Sequence, residues 1–362
     1  MARLWIFNPW NDMALANDSI HYTPPDTALQ LAKEGETLPL WLAEPGDYVL
    51  MGREGREFYK SLPSSLKLAK PWNGEEVEEF GVWGWSKATR QIFINEGISD
   101  RYLPDDATLD RWREMSHRRM TVNAHKFINS PNVPIETLTT EDALNALKKW
   151  GDVIGKYPWS SSGRGLFAGS LNHTESFLRR CAGAIRHQGS VIIEPQYKVA
   201  VDFAMLFMCK PAGRVEYMGL SLFENNKRAY TGNILMPQEE IFERLTQFIP
   251  IENLEKSREL LMRFIAKYIS PFYEGPLGID MFIYKNSHKD CSSYGLNACV
   301  EINLRYTMGF VALNLQNRFL PDGYHGMYRI TSHNSRDISS TQLFMPLNPQ
   351  SSAFRFGIYG EG

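Results

Sequence analysis

Three polar side chains alternate with apolar ones in one short segment of the chain. In "VEINLRYTMG", residues 300–309, single apolar residues separate Glu301, Asn303 and Arg305. Because side chains alternate between the two faces of a strand, the three polar groups are predicted to share one face. Burying unpaired charge is costly, so partners are expected opposite them.

A carboxylate on the preceding predicted strand suggests a metal site. Asp280 lies in "GPLGIDMFIY", and the linker "KNSHKDCSSYGL" separates the two strands. If the strands pair as an antiparallel hairpin, Asp280 falls roughly opposite Glu301. With Asn303, these carboxylates offer the oxygen ligands that Mg²⁺ prefers, and Arg305 would hold an anion beside the metal. The alternative is a structural Glu301–Arg305 ion pair, with Asp280 capping a turn.

A second group of residues is typical of a phosphate-binding site. Lys156 ends the predicted strand "DVIGKYP" and is followed by the polar loop "SSSGRG". An ammonium group beside backbone N–H groups and hydroxyls can cradle a phosphate, although the P-loop spacing GxxxxGK[ST] is absent. Lys126, on an earlier predicted helix, would add a second ammonium; alternatively it is an exposed, solvated lysine.

An acidic residue ends another predicted strand. Glu194 lies in "SVIIEPQY" and is followed by Pro195, which lacks a backbone N–H. The carboxylate and the neighbouring backbone groups could recognise the amino group of an adenine. The alternative is a surface acid at the end of a strand.

The N-terminal third alternates predicted strands and helices, which favours an α/β layer. "RLWIF" is predicted to be a buried strand, and "NPWNDMALANDSIHYTPP" a loop because of its prolines. A helix is predicted from Asp26 to Gly35, and further helices over 84–97 and 106–118.

Longer strands follow in the second half. "VAVDFAMLFMCK" and "RVEYMGLSLFE" are predicted to form a hairpin through "PAGR", followed by helices over 238–247 and 253–270. Residues 331–362, rich in Ser, Asn and Pro, are predicted to form an irregular tail.

Composition excludes several classes of protein. The 362 residues carry a formal net charge of -2, which gives no reason to expect a nucleic-acid or membrane partner. No segment approaches the ~20 apolar residues of a membrane span, and the N-terminal apolar run is shorter than a signal-peptide core of roughly 7–15 residues. The four cysteines are scattered without CxxC spacing, which predicts a cytoplasmic protein with reduced thiols; they are Cys181, Cys209, Cys291 and Cys299.

Taken in order, these segments resemble the ATP-grasp superfamily. The resemblance runs from about Lys126 to Arg305 and rests on "HKFINSPNVPIETL", "VIGKYPWSSSGRGL", "VIIEPQY", "VDFAML", "GPLGIDMFIY" and "VEINLRYTMG". It implies α/β and α+β architecture: an N-terminal α/β layer, then a two-lobed ATP-grasp core with mixed and antiparallel sheets. The predicted division is a pre-ATP-grasp-like domain on the substrate side, a first lobe, a second lobe with the metal site, and the tail: 1–118, 119–195, 196–330 and 331–362.

The resemblance also implies a role for each candidate residue. Lys126 and Lys156 would approach the phosphates of ATP. The mobile loop would close over them with Ser160, Ser161, Ser162, Gly163 and Arg164. The adenine would meet Glu194, Pro195, Gln196 and Tyr197. Asp202 stands where many members carry a ribose-binding Glu, so the shorter acid is a departure. Asp280, Glu301 and Asn303 match the Mg²⁺ ligands, and Arg305, with Lys156, would act in catalysis near the transferred phosphoryl group.

The activity implied is that of an ATP- and Mg²⁺-dependent ligase. Most members phosphorylate a small-molecule carboxylate, and an amine or thiol then attacks the acyl phosphate. The alternatives are an ATP-grasp small-molecule kinase and a non-catalytic nucleotide-binding module. Homodimers are common in the superfamily, so a homodimer is one expected state.

The first loop departs from the superfamily pattern. Many members have a Gly-rich turn after the first strand, whereas "NPWNDMALAND" contains no glycine. Its Asn and Asp side chains could form a polar substrate pocket. Alternatively they form Asx-turns and helix caps.

Overall fold

A computed structural model of the chain describes residues 2–160, 163, 165–226, 229–286, 293–332 and 342–360. The chain divides into two compact units. Unit 1 comprises Met1–Leu109, Gly219–Phe242 and Arg305–Gly362, and unit 2 comprises Asp110–Met218 and Glu243–Leu304. The predicted division at 118/119, 195/196 and 330/331 stays a prediction.

A four-stranded parallel sheet forms the N-terminal part of unit 1. Its strand order is β3-β2-β1-β4, with β1 Arg3–Ile6, β2 Tyr48–Val49, β3 Lys70–Pro71 and β4 Glu79–Val82. The helices of this region are α2 Asp26–Glu34, α3 Arg53–Ser61 and α4 Lys87–Asn95. Leu4 and Phe93 are fully buried in the core between the sheet and α4. The predicted α/β layer is confirmed.

One prediction for this region was wrong. Helix α1, Asn11–Asn17, lies inside the segment that was predicted to be a loop. The prolines of the segment lie at Pro9, Pro24 and Pro25, so they flank the helix and do not interrupt it. Asp18 ends the helix in a left-handed conformation, and its backbone N–H donates to the Ala14 carbonyl oxygen.

The remainder of unit 1 is built on antiparallel strands. They follow the order β10-β11-β14-β16-β15: β10 Arg214–Asn226, which begins in unit 2, β11 Ala229–Leu235, β14 Gly326–Ser332, β15 Gln342–Pro346 and β16 Phe354–Gly360. Helix α11, Met308–Arg318, precedes β14.

The prediction of an irregular tail over 331–362 was also wrong for the described residues. Strands β15 and β16 lie within that range, and Phe356 and Ile358 of β16 are fully buried. Alternate residues of a strand share one face, so this pair supplies a buried face to the sheet. The Ser-, Asn- and Pro-rich flanks obscured this short pattern.

Unit 2 contains two lobes. The first has an antiparallel sheet of order β5-β8-β6-β7, with β5 Ile135–Thr137, β6 Asp152–Lys156, β7 Leu166–Ser170 and β8 Val191–Pro195. Helices α7 Thr140–Trp150 and α8 Thr174–Gln188 pack on this sheet. The Thr139 hydroxyl caps α7 by accepting the Asp142 N–H at 3.1 Å.

The second lobe of unit 2 carries the strand order β13-β12-β9, again antiparallel. The strands are β9 Lys198–Lys210, β12 Gly275–Lys285 and β13 Tyr294–Asn303. As predicted, β9 and β10 are neighbours, joined through Pro211–Gly213. The register places Asp280 directly opposite Glu301, which confirms the predicted hairpin pairing.

The other helices have the following bounds: α5 Asp106–Met115, α6 Arg119–Phe127, α9 Gln238–Thr246 and α10 Ile251–Tyr268. Further short 3-10 helices cover Leu38–Trp41, Ser64–Leu66, Asp100–Tyr102 and Leu171–His173. None of the helices that the structure describes has both the length and the apolar character that crossing a membrane requires.

Asn348 secures the C-terminal segment of unit 1, and its loss is expected to destabilise the fold. The side chain is fully buried, donates to the Glu34 and Phe354 carbonyl oxygens at 2.9 and 2.8 Å, and accepts the Phe356 N–H at 2.9 Å. Asn348→Ala leaves these buried backbone groups unpaired, so the free energy of unfolding should fall by about 3 kcal/mol. Denaturant unfolding measures the change.

The matched control is Ser351→Ala, because Ser351 is exposed three residues further along the same segment. It should change the free energy of unfolding by less than about 0.5 kcal/mol. Equal effects of the two substitutions would contradict the role given to Asn348.

Candidate functional site

The predicted metal ligands share one face of the β12–β13 hairpin. Asp280 pairs directly with Glu301, and Asn303 lies two residues further along β13. Directly opposite and diagonal residues of an antiparallel pair have neighbouring side chains. The Asn303 amide nitrogen accordingly donates to Asp280 Oδ2 at 3.2 Å. Two carboxylates and one amide therefore converge at this face.

An irregularity in β13 lies immediately beside these residues. The strand register shifts between Asp280 and Phe282, a bulge that leaves nearby backbone groups outside the regular ladder. The Cys299 N–H donates to Asn297 Oδ1 at 3.2 Å, within the bulged segment. The Cys299 carbonyl oxygen accepts from His125 Nε2 at 2.7 Å. The bulge thus supplies acceptors to side chains of other elements.

Lys156 uses a second carbonyl group of the same bulge. Its Nζ lies 2.6 Å from Glu194 Oε1 and donates to the Val300 carbonyl oxygen at 3.2 Å. The lysine and glutamate side chains are only 5% and 6% exposed. They sit diagonally on paired strands, since Lys156 is opposite Ile192 and Glu194 opposite Ile154. The other oxygen of Glu194, Oε2, is buried without a hydrogen-bond partner.

Arg118 is a site residue that the sequence did not reveal. Its guanidinium donates to the Tyr157 carbonyl oxygen at 2.5 Å, to Ser160 Oγ at 2.6 Å and to the Ser160 carbonyl oxygen at 3.1 Å. It also pairs with Glu301 Oε1 at 2.5 Å. Arg118 therefore joins the start of the Ser/Gly loop to a predicted metal ligand. In the sequence it is one of two adjacent arginines before a helix, which carries no signal of this role.

Several hydrogen bonds fix the residues at the base of the Ser/Gly loop. Gln188 accepts the Trp159 N–H at 2.9 Å and donates to its carbonyl oxygen at 3.1 Å. The Tyr157 N–H donates to the Gly165 carbonyl oxygen at 3.0 Å. Gly163 has a φ of 72°, which favours glycine. Ser161, Ser162 and Arg164 lie outside the described residues.

The predicted adenine-binding segment continues from β8 into β9. The backbone N–H of Gln196 donates to the Asp152 carbonyl oxygen at 2.9 Å. Tyr197 stacks near Tyr284 with ring centroids 4.3 Å apart, and burial raises the pKa of its hydroxyl. Pro195 and Asp202 are half-buried, and Asp202 lies opposite Phe282 in the β9–β12 pair. The segment presents an aromatic face beside a strand end.

Lys126 and Arg305, two further residues predicted for the site, differ from each other in their surroundings. Lys126, on α6, is exposed to solvent. Arg305 belongs to unit 1, where its Nη2 lies 2.7 Å from Asp12 Oδ2 and its Nε 3.1 Å from Asp12 Oδ1. The two-pronged pair uses an acid of the glycine-free first loop, at the start of α1. The guanidinium of Arg305 is thus already held by a carboxylate of the chain.

Two amides of the first loop have structural partners. Asn8 donates to the Gly84 carbonyl oxygen at 2.8 Å and accepts the Gly84 N–H at 3.2 Å. With its side-chain amide turned so that oxygen and nitrogen both find partners, Asn11 donates to the carbonyl oxygens of Gly84 and Trp85 at 2.9 and 3.2 Å. These contacts favour the structural alternative for Asn8 and Asn11, because both side chains are buried and engaged with backbone.

The face formed by Asp280, Glu301 and Asn303 carries two carboxylates and an amide, which are donor types that bind divalent cations. Among the residues that the structure describes, no three His, Cys, Asp or Glu side chains cluster as a metal site. A cation here would therefore rely on two carboxylates and an amide, with other oxygens completing its shell. Mg²⁺ commonly binds through one or two carboxylates together with water and substrate phosphates.

Comparison with solved structures gives the fold. The chain superposes on carboxyaminoimidazole ribonucleotide synthase from Aspergillus clavatus, solved with ATP, with a TM-score of 0.53 at 12% identity, covering 100% of this chain and 94% of that one. The ATP-grasp fold is the fold of this chain. N5-carboxyaminoimidazole synthetase from Staphylococcus aureus, solved with ADP, gives 0.51 at 12% identity, covering 99% and 92%.

Biotin carboxylase from Campylobacter jejuni, solved with an ATP complex, shares the ATP-grasp fold with this chain at a TM-score of 0.51. Its identity is 12%, and the match covers 99% of this chain and 87% of that one. No family model matches the sequence, and no curated protein does. The resemblance read from the sequence motifs is confirmed as a likeness of fold.

Acidification is expected to destabilise the protein through His125. Burial, and to a smaller degree Lys156, lowers its pKa from 6.5 to about 4, although the bond to Cys299 acts in the opposite direction. The unfolded chain therefore takes up a proton first as the pH falls. Stability is lost below about pH 6.5, by about 2 kcal/mol at about pH 5 for this residue. Denaturant unfolding at neutral and acidic pH measures the loss.

His125→Gln keeps a donor for the Cys299 carbonyl oxygen and removes the titration. It should reduce the pH-dependent loss by about 2 kcal/mol, whereas His173→Gln, at an exposed position, should leave it unchanged. An unaltered pH dependence in His125→Gln would rule out this explanation.

The effects of substituting Lys156 and Glu194 on the free energy of unfolding should be strongly coupled, because the two charges are buried as a pair. Lys156→Ala leaves the Glu194 carboxylate unpaired in the interior and should lower the free energy of unfolding by about 3–5 kcal/mol. The double variant Lys156→Met with Glu194→Gln should recover most of that loss, since no isolated charge stays buried. A double-mutant cycle from denaturant unfolding measures the coupling.

Lys148→Ala serves as the control, because Lys148 is an exposed lysine of the adjacent helix α7. Its effect should stay below about 0.5 kcal/mol. If Lys156→Ala cost no more than this control, the two charges would not be buried together.

Proposed function

We propose that the protein is an ATP- and Mg²⁺-dependent ligase that activates a carboxylate for attack by an amine or thiol. The observation that supports it most strongly is a pair of polar clusters in unit 2 that use adjacent residues of β13. Lys156, Glu194 and the Val300 carbonyl form one cluster, and Arg118, Ser160 and Glu301 form the other. Glu301 directly follows Val300, so cationic and anionic groups suited to a nucleotide and its metal meet on one strand.

The nucleotide would be held by residues of both lobes of unit 2. Lys156, Lys126 and the loop over 160–164 are proposed to meet its phosphates. Arg118 joins this set because its guanidinium already contacts the loop at Ser160. The buried, unpartnered Oε2 of Glu194 is an acceptor suited to an adenine amino group. Pro195, Gln196 and Tyr197 would line the base, and Asp202 would meet the ribose.

Asp280, Glu301 and Asn303 are proposed to hold the cation. A divalent ion, when bound, offsets the negative charge of the phosphates and of the two carboxylates. Rotation of the Asn303 amide would present its oxygen in place of the nitrogen that now faces Asp280. Glu301 would share its carboxylate between the ion and Arg118.

The reaction requires alignment and charge neutralisation more than a protein nucleophile. An oxygen of the substrate carboxylate attacks the γ-phosphorus, and ADP leaves with the electrons of the broken bond. The amine or thiol then attacks the acyl carbon, loses its proton, and phosphate departs. Lys156 and Arg305 are proposed to act near the transferred group; for Arg305 this requires exchange of its contacts with Asp12.

The structural neighbours support this assignment through their fold. Those proteins were solved with ATP or ADP, and one of them is a carboxylase. A small-molecule carboxylate and an amine or thiol are the proposed substrates. The cytoplasmic location and the homodimer expected from the sequence stay predictions.

Release of ADP and phosphate tests the proposal directly. Panels of small carboxylates and amines or thiols, supplied with ATP and Mg²⁺, should include pairs that support turnover and yield a coupled product. A stable phosphorylated product without coupling would identify a kinase instead. Binding of ATP without turnover on a broad panel, or no binding of Mg²⁺ and ATP by calorimetry, would end the ligase proposal.

Glu301→Gln should lower kcat/KM by at least about 100-fold, because the neutral amide is a poor partner for a divalent cation. It keeps an acceptor for Arg118, so the fold should persist by circular dichroism. Glu216→Gln is the control, since Glu216 is a half-exposed strand carboxylate paired with Lys210. Full activity in Glu301→Gln would contradict the metal role.

A further inference from the structure

A crevice of about 580 Å³ opens at one edge of the parallel sheet of unit 1. Its lining includes the residues that follow three strands: Phe7 and Asn8 after β1, Met51 and Gly52 after β2, Asn73 and Gly74 after β3. Open α/β sheets bind ligands outside the carboxyl ends of their strands, in sites of roughly 300–1,000 Å³. The crevice has the position and the size of a small-molecule site.

The walls of the crevice are largely aromatic and aliphatic. Trp10 and Trp72 line it, and only 5% and 8% of their surfaces are exposed. Leu50 and Ile92 add aliphatic surface. A lining of this kind suits a ligand with an aromatic or apolar body.

The carboxylate of Glu36, which lines the crevice, is closely surrounded by backbone atoms. The two oxygens of Glu36 accept the backbone N–H groups of Gly52 and Gly55 at 2.9 and 3.0 Å. A Cβ atom at residue 55 would lie 2.5 Å from Glu36 Oε1, so glycine at this position gives the carboxylate its room. Each oxygen accepts one of these bonds and retains a lone pair for a further donor.

The carboxylates of this crevice form no ion pair with any lysine, arginine or histidine that the structure describes. Glu36 and Glu96 both line it, and neither forms an ion pair with a described residue. Lys33, which lies close enough to Glu36 to influence it, is paired with Glu54 at 3.2 Å. Burial raises the pKa of Glu36, which reflects the cost of holding its charge there.

Arg56 is the positively charged residue that lines the crevice, and its guanidinium donates hydrogen bonds to uncharged oxygens. Its Nε donates to the Met51 carbonyl oxygen at 3.2 Å, Nη1 to Asn73 Oδ1 at 2.5 Å and Nη2 to the Trp72 carbonyl oxygen. These bonds join the loops after β2 and β3. Arg56 therefore shapes the crevice and forms no ion pair with Glu36 or Glu96.

We propose that this crevice binds a primary amine carried on an aromatic or apolar body, with the ammonium on Glu36 and the body against Trp10 and Trp72. An amine of this kind would be the acceptor substrate of the proposed ligase. Only this acceptor role rests on the proposed function, because binding of the amine requires neither ATP nor Mg²⁺.

Calorimetry on the full chain, without nucleotide or metal, tests the binding. The probes are 2-phenylethylamine, its neutral analogue 2-phenylethanol and the anionic 3-phenylpropionate. The amine should bind at least about tenfold more tightly than either analogue, since only it supplies a positive charge. Equal affinities, or preference for 3-phenylpropionate through Arg56, would overturn the proposal.

Two substitutions locate the site. Glu36→Gln should weaken amine binding by about tenfold, whereas Glu57→Gln, which removes an exposed carboxylate of α3 outside the crevice, should leave it unchanged. Leu29→Trp adds bulk at a lining position that is 41% exposed, so it should block the probe without disturbing the core. Undiminished binding in Leu29→Trp would refute the site even if Glu36→Gln failed to fold.

The two proposals can fail separately. If the amine binds as described but no amine supports ADP release, the ligase function fails and the binding site stands. If ligase turnover occurs with amines that do not compete with 2-phenylethylamine, the ligase function stands and this inference fails.

Discussion

The buried ion pair between Lys156 and Glu194 is the interaction on which the candidate site depends. Moving two charges out of water is expensive, and a pair at 2.6 Å with both side chains about 5% exposed offsets that cost only if further polar partners are present. Lys156 has such a partner in the Val300 carbonyl oxygen, but Glu194 Oε2 has none. An apolar pair of similar volume would serve stability at least as well, so this arrangement is better explained by a ligand that completes it.

The carbonyl oxygens of residues 299 and 300 lie in the irregular part of β13 beside Asp280. They accept hydrogen bonds from His125 and Lys156. The next residue, Glu301, meets Arg118, Asn303 meets Asp280, and Arg305 meets Asp12. Each polar group of the alternating segment therefore has a partner of opposite character, and the irregularity of β13 lies immediately before these residues.

How much of the site the sequence could predict depends on how many residues separate the two partners of each interaction. The pairing of Asp280 with Glu301 is local, since a single linker joins the two strands and alternation fixes their faces. Arg118 and Glu301 are separated by 183 residues, and Arg305 and Asp12 by 293, so no periodicity in either segment could reveal these partners. The same holds for β16, whose buried Phe356 packs against Phe7 of the N-terminal region. For α1, prolines outside the helix were read as if they lay within it.

The charges of the two clusters on β13 also explain why a divalent cation belongs to the proposed function. Three carboxylates, those of Glu194, Glu301 and Asp280, lie on the strands that carry or face these clusters. A nucleoside triphosphate would bring about four more negative charges into a partly buried region, where like charges repel strongly. A divalent ion held by Asp280, Glu301 and Asn303 would offset this repulsion, so under the proposed function nucleotide binding should depend on the metal more steeply than on any single lysine.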